Sequence, residues 1–309
     1  MIVEPEPPCN NVAAREAAGY TARHAMNSPV ATPSTLSRIE LGAMLAQKLR
    51  PIASRLAASY RDSGHINTFV VDDVFPQDIA NALAQRFPKA SDLMRRDSIR
   101  ESKYVSSQMD RHDPLLEEAV FAFQDAHVVA LLAEITGIED LAADPHLYAS
   151  GLSLMRQGDF LNPHLDNSHD KDRAQYRVLN LLYYVTPGWS ADSGGNLELW
   201  DQGPGSAQRT VVSAFNRLVC MATHRASWHS VSAIRVPQDR TCISNYYFSS
   251  SPLGSGEYFH VTSFRGRPEQ HVRDWMLRID AWVRSALRLV FRKGVVAPKH
   301  LYKRPPNPD

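Results

Sequence analysis

Leu147-Tyr-Ala-Ser-Gly-Leu-Ser-Leu-Met-Arg156 opens a stretch, closing at Phe248, in which short β-rich runs alternate with Gly, Pro, Asn and Asp breaks. The runs fall at 147–156, 176–186, 196–200, 209–222, 228–235 and 240–248. Many short strands with turn residues between them predict a closed or double-sheet β architecture such as a jelly roll. Parallel βαβ units would need helical periods between the strands, and none fits there. No internal repeat is visible.

Upstream the texture is helical. Ser37 to about Ser63 carries apolar residues at helical spacing (Leu41, Leu45, Leu49, Ile52, Leu56), interrupted by Pro51, which sits in a first turn or marks a break. His65 to Phe75 reads as a strand, and Pro76 starts a helix running to about Phe87 with Ile79 and Leu83 inward. A further helical stretch spans 113–137 and ends at Gly137. These helices are expected to back the sheet, giving an α+β chain with a mainly β core. Residues 1–35, rich in Pro, Ala, Ser and Asn, read as a mobile segment. The core domain is then 36–265, and 266–309 a C-terminal helix and tail. In that tail Trp275, Met276, Ile279, Trp282, Val283, Ala286, Leu287 and Val290 form one apolar stripe, with Arg278, Arg284, Arg288 and Arg292 largely opposite. The expectation is a basic amphipathic helix packed on the β core; the alternative is a helix resting on a membrane surface.

Net charge is +1, from 34 basic and 33 acidic residues, so no general affinity for nucleic acid follows. The charge is uneven: residues 265–304 hold eleven Arg or Lys against three acids, +8, which leaves −7 elsewhere. The three cysteines, Cys9, Cys220 and Cys242, make no CxxC and no regular framework, which fits reduced thiols in a cytoplasmic protein. The N-terminus lacks the basic and apolar regions of a signal peptide. No apolar run approaches the ~18 residues of a bilayer span.

Within the β-rich stretch, His164-Leu-Asp166 places an imidazole and a carboxylate two residues apart, on one side of an extended segment. Pro163 keeps Asn162 extended. A second imidazole from elsewhere would complete two His and one carboxylate on one face of a metal. That set leaves positions open for a bidentate co-substrate and dioxygen, the arrangement of non-haem Fe(II) oxygenases. His229, in the strand-like run Ser227-Trp-His-Ser-Val-Ser-Ala, is preferred to His224, which reads as part of a turn, and His169 reads as a loop histidine. Arg240 opens the next strand after the turn Val236-Pro-Gln-Asp239. Its planar fork matches a carboxylate, which 2-oxoglutarate would supply; the alternative is an ion pair with Asp239 or another surface acid. By alternation Arg240, Cys242, Ser244 and Tyr246 share a face, so the Ser244 hydroxyl can reach the same carboxylate. Asn180, Leu182 and Tyr184 share another face, aiming the Tyr184 phenol inward and Tyr183 outward, unless both are packing residues. The segment Arg95–Asp113 is polar and reads as a loop, where such scaffolds carry specificity, and its mixed charges suit a polar or charged substrate.

With these residues in place the chain resembles a known family. His164-Leu-Asp-Asn, Leu182-Tyr-Tyr, Trp189, Gly194-Gly-Asn-Leu-Glu-Leu, Phe215-Asn-Arg-Leu-Val, His229-Ser-Val and Arg240 to Tyr247 are similar, in this order, to 2-oxoglutarate/Fe(II)-dependent oxygenases of the prolyl-4-hydroxylase-like superfamily. The likeness covers about 147–250 closely and reaches more weakly to Phe69-Val-Val-Asp-Asp-Val-Phe-Pro. It implies a double-stranded β-helix of jelly-roll or cupin-like type. It implies His164, Asp166 and His229 on Fe(II), Arg240 on the far carboxylate of 2-oxoglutarate, and Tyr184 beside it. Many relatives carry a Tyr about nine residues before the first His, where this chain has Met155. The implied reaction consumes 2-oxoglutarate and O2, with ascorbate as a candidate reductant, and releases succinate and CO2 while a C–H bond is hydroxylated. The substrate, small-molecule or peptidyl, is not fixed by the family. Three rivals stay open: a cupin-like metal-binding or regulatory protein without turnover, a structural β-sandwich in which these residues are coincidental, and an oxygenase performing desaturation or cyclisation.

Overall fold

The computed structural model describes residues 36–290 and 301–302. Segment 1–35, expected to be mobile, and Cys9 lie outside the described residues. The helices are α1 (Arg38–Leu49), α2 (Ala53–Asp62), α3 (Gln77–Arg86), α4 (Pro114–Ala122), α5 (Ala126–Thr136) and α6 (His271–Val290). The strands are β1 (Thr68–Val71), β2 (Met94–Asp97), β3 (Glu101–Ser106), β4 (Ala142–Ala143), β5 (Gly151–Met155), β6 (Phe160–Leu165), β7 (Tyr176–Tyr184), β8 (Leu197–Leu199), β9 (Arg209–Val211), β10 (Arg217–Ala222), β11 (His229–Val231), β12 (Arg240–Ser249) and β13 (Ser263–Phe264).

Local chemistry sets the helix boundaries. Ser37 and Glu40 form a reciprocal capping box at the start of α1. Pro51 sits in a short 3-10 turn between α1 and α2, a break rather than an interior kink. The stretch 113–137, expected as one helix, is two: Asp113 caps α4 ahead of Pro114, and Asp125 caps α5 through the His127 amide. The carboxylate at Asp125 offers those amides an alternative partner, so the chain turns there. Gly137, at φ 73°, ends α5 in the left-handed conformation.

The described strands form a single antiparallel sheet in the order β1-β10-β7-β12-β5-β3-β6-β11-β8-β9, with β4 on β12, β2 on β3 and β13 on β6. It curls so that β5, β12, β7 and β10 face β6, β11 and β8, a double-stranded β-helix. Alternation along the strands sorts two cores. Leu181, Tyr183, Leu218, Cys220, Ile243 and Tyr247 pack outward under α1, α2, α4 and α5. Tyr184, Val219, Met221 and Cys242 point inward and meet Leu197 and Leu199 from the facing wall. The run 209–222, expected as one strand, splits into β9 and β10 before Asn216, which adopts φ 57°. Asn216 is pinned there because its side chain bonds both backbone polar groups of Phe75 and the Tyr183 hydroxyl.

The segment Arg95–Asp113, expected as a loop, is mostly the hairpin β2–β3. Its polarity hid it: both strands are largely half-buried or exposed, so no apolar alternation marks them. Strand β3 bridges the walls, pairing with β5 through Tyr104–Ser106 and with β6 through Glu101 and Ser102.

Helix α6 meets the core through one side. Leu277 is fully buried with Met155, Leu161, Trp189 and Phe264, Asp280 pairs with Arg100, and Asp274 pairs with Arg265. The described part of the stripe expected to dock lies on the other side: Trp275 is 65% and Trp282 73% exposed, and Met276, Ile279 and Val283 are exposed too; the side chains of Ala286, Leu287 and Val290 lie outside the described residues. Periodicity identifies an apolar face; it does not say which way that face turns. Among the described residues no single helix is long and apolar enough to cross a membrane.

Candidate active site

His164, near the end of β6, lies directly opposite His229 on β11. Asp166 follows just past the end of β6. The three side chains converge: His164 Nε2 is 3.7 Å from Asp166 Oδ1, His229 Nε2 is 3.6 Å from Asp166 Oδ2, and the imidazole centroids are 4.1 Å apart. One ligand atom from each lies within 4.8 Å of the others. In both histidines Nδ1 sits against a main-chain carbonyl two residues earlier, Asn162 O at 3.0 Å and Ser227 O at 2.9 Å. A carbonyl only accepts, so Nδ1 carries the proton and Nε2 turns a free lone pair to the cluster. Burial, and next the neighbouring His229, pushes the His164 pKa down to about 3, which keeps that imidazole neutral. Phe264 stacks on the His164 ring at 5.1 Å and closes its outer side.

Burial alone would raise the Asp166 pKa. The nearby His229, Arg177 and His164 and a hydrogen bond from Tyr246 outweigh it, holding the group at about 2. The Tyr246 hydroxyl donates to Asp166 Oδ2 at 3.1 Å and accepts from Asn180 Nδ2 at 3.1 Å. The Arg177 guanidinium lies over the Tyr246 ring at 4.3 Å, with NH1 3.7 Å from Asp166. Arg177 is buried, yet its Nε and NH2 have no hydrogen-bond partner.

Arg240 is 3% exposed and faces no carboxylate among the described residues. Its Nε donates to the Ser213 hydroxyl at 3.2 Å, its NH1 approaches the Met155 sulfur at 3.7 Å, and its guanidinium lies 4.8 Å from the Tyr184 ring centroid. The alternative partner Asp239 pairs with Arg156 instead. Gly195 makes room for this arginine: at φ 63°, a Cβ there would sit 2.7 Å from Arg240 Cδ and 2.3 Å from the Ile234 side chain. The Tyr184 hydroxyl is buried without a hydrogen bond of good geometry. Burial, against the pull of Arg240, raises its pKa to about 12. Ser244 donates to the Gly151 carbonyl at 3.3 Å.

A cavity of about 720 Å³ touches His164, Asp166, His229, Arg177, Arg240 and Ser244. The β2–β3 hairpin contributes Arg96, Arg100 and Lys103 to its wall, and Arg111 follows. Arg96 and Lys103 are register partners on that hairpin. Glu101 neutralises Lys103, and Asp280 neutralises Arg100; Arg96 and Arg111 have no ion-pair partner among the described residues.

The structure thus brings His164, Asp166 and His229 together, and His224 is elsewhere, its ring 5.2 Å from that of His65. The His169 ring lies 4.3 Å from that of Tyr176, tilted against it. Arg177, Phe264, Ser213 and the role of Tyr246 were missed. Tyr246 was within reach, since alternation from Arg240 already aims it inward. Phe264 and Arg177 depend on pairings across the sheet that spacing does not encode.

The family model described as 2OG-Fe(II) oxygenase superfamily matches residues 150–248, the stretch holding all three clustered side chains and Arg240. Prolyl 3-hydroxylase OGFOD1 of Mus musculus is 28% identical over 96 residues, 29% of this chain; the match spans 17% of that protein's length. Among solved structures, a Trichoplax adhaerens prolyl hydroxylase in complex with a hypoxia inducible factor peptide fragment is 17% identical, covers 66% of this chain and 91% of its own, and has TM-score 0.48. A Pseudomonas putida prolyl-4-hydroxylase is 18% identical, covers 63% and 98%, with TM-score 0.41. The similarity to 2OG-Fe(II) oxygenases thus lies in the β core, residues 150–248.

Proposed function

We propose that the chain is an Fe(II)- and 2-oxoglutarate-dependent dioxygenase that hydroxylates an unactivated C–H bond of a polar substrate. His164, Asp166 and His229 would hold the iron through two Nε2 atoms and one carboxylate oxygen. Arg240 would take the distal carboxylate of 2-oxoglutarate, with the Ser213 hydroxyl beside it and the Tyr184 phenol and Ser244 hydroxyl as further candidates. Bound iron and co-substrate supply the oxidising chemistry: one oxygen atom of O2 enters the C–H bond, the other enters succinate, and CO2 leaves. The protein does the rest. Main-chain carbonyls at Asn162 and Ser227 fix the imidazole tautomers. The Asn180–Tyr246–Asp166 chain orients the carboxylate. Phe264 and the inward apolar cluster keep water from the far side.

One observation carries the reading: a buried guanidinium without an acid, in the same cavity as the ligand cluster. A buried arginine needs an anionic partner; a metal-binding protein without turnover would have no use for one here. The test is succinate formation from 2-oxoglutarate with Fe(II), ascorbate and O2, across panels of metabolites and proline-containing peptides. Tight metal binding with no succinate under any condition would favour the cupin-like rival.

For the substrate, the cavity wall supports groups that accept hydrogen bonds or carry negative charge. Arg96, opposite Lys103 on the hairpin, has no ion-pair partner among the described residues, and Nε and NH2 of Arg177 have no hydrogen-bond partner. A peptidyl prolyl substrate is one candidate, since the mouse relative is named a prolyl 3-hydroxylase. We place the reaction in the cytoplasm, a reading supported by the unpaired, buried thiols of Cys220 and Cys242.

A further inference from the structure

Helix α6 is attached by its less apolar side. Leu277 is the anchor, and Arg273, whose guanidinium lies 5.4 Å from the Phe160 ring centroid, and Asp280 sit on the same flank. Val272, Trp275, Met276, Ile279, Trp282 and Val283 form the continuous opposite face, all exposed. A patch with two tryptophans is not left in water without reason. The charges say what covers it. Both acids of the helix are engaged by the body of the protein, Asp274 with Arg265 and the Gly266 amide and Asp280 with Arg100. From Ala281 to Pro308 the sequence then has seven Lys or Arg and no Asp or Glu. An apolar face with tryptophans, on a helix whose two acids are already ion-paired and whose sequence continues with Lys and Arg alone, is complementary to a negatively charged lipid surface. A second copy of the same face would bring like charges together.

We infer that α6 lies flat on an anionic bilayer, its Trp275–Trp282 face in the interface. The helix does not span the membrane; at 20 residues it is about 30 Å long and lies in the plane. Asp280 holds Arg100 of the cavity wall, so docking sets the cavity mouth beside the membrane.

The test uses the full chain and vesicles of phosphatidylglycerol or of phosphatidylcholine. Co-flotation with phosphatidylglycerol and a blue shift of tryptophan emission are expected, with much weaker flotation on phosphatidylcholine. Trp275→Ser with Trp282→Ser should lower the partition coefficient at least about tenfold, as removal of large buried apolar side chains does. Arg284→Gln with Arg288→Gln should lower it about tenfold on phosphatidylglycerol alone. Both pairs should keep the wild-type thermal midpoint, because the two tryptophans are exposed and the core contact at Leu277 is untouched. Absence of flotation by the wild type, or equal flotation of the tryptophan variant, overturns the proposal. So does a lipid-free dimer that the tryptophan variant dissociates, which would assign the face to a second copy.

Discussion

The two faces of one sheet differ in what they leave unmet. On the helix-covered face of β7, β10 and β12, polar groups are few and paired: the Tyr183 hydroxyl donates to Asn216 and the Tyr247 hydroxyl to the Phe123 carbonyl. On the inner face of the same strands, Arg177, Asn180 and Tyr184 each have buried polar atoms without a partner, and Arg240 has no acid. Buried polar groups are normally satisfied, so the side that departs from that rule is the side built for something else to arrive. The outer face is finished when the chain folds; the inner face is finished by its ligands.

The sharpest way to break this contrast is to remove a ligand candidate. His164→Ala or His229→Ala should cut metal-dependent turnover by more than about a hundredfold, since outer-shell partners alone cost 10- to 100-fold. His224→Ala should leave most activity. Metal binding lost in His224→Ala but kept in His229→Ala would displace the cluster from its assigned role. On the opposite face, Leu181→Ala should lower unfolding free energy by about 2–5 kcal/mol, while the ratio of kcat to KM measured well below the midpoint holds. A selective loss of catalysis there would erase the distinction between the faces. Arg240→Ala should raise the apparent 2-oxoglutarate constant about 10- to 150-fold with iron affinity unchanged. An unchanged constant would point to another residue, although Arg217 is occupied by Asp72 and Arg235 is exposed. The smallest effect is expected from Tyr246→Phe, about tenfold in iron affinity, through lost orientation of Asp166. A stability loss without any change in iron affinity would assign Tyr246 to packing alone.

Much of the site was legible because its logic is local. His164 and Asp166 are two residues apart on an extended segment, and Arg240, Ser244 and Tyr246 follow one alternation. Strands β5, β7, β8 and β12 announced themselves by apolar runs between turn residues. What stayed hidden depends on pairing. Strand β6 contains Pro163 and little alternation, and is held by neighbours on both sides. Hairpin β2–β3 is charged because it faces a cavity, so the usual apolar signal is missing. Arg177 could be recognised only after β7 was laid beside β12, where it pairs with Phe248. The orientation of α6 was invisible because a stripe at helical spacing looks the same whether it turns inward or outward.

The bridge made by β3 has a consequence for how this scaffold changes over generations. Its backbone is hydrogen-bonded to β5 on one wall and β6 on the other, so the side chains it offers the cavity stand on fixed positions rather than on a pliable rim. Exchanging Lys103, or Arg96 across the hairpin, alters the charge that greets an incoming molecule while the outline of the opening stays as it was. A point substitution on this strand can therefore change the charge of the cavity wall without moving its backbone.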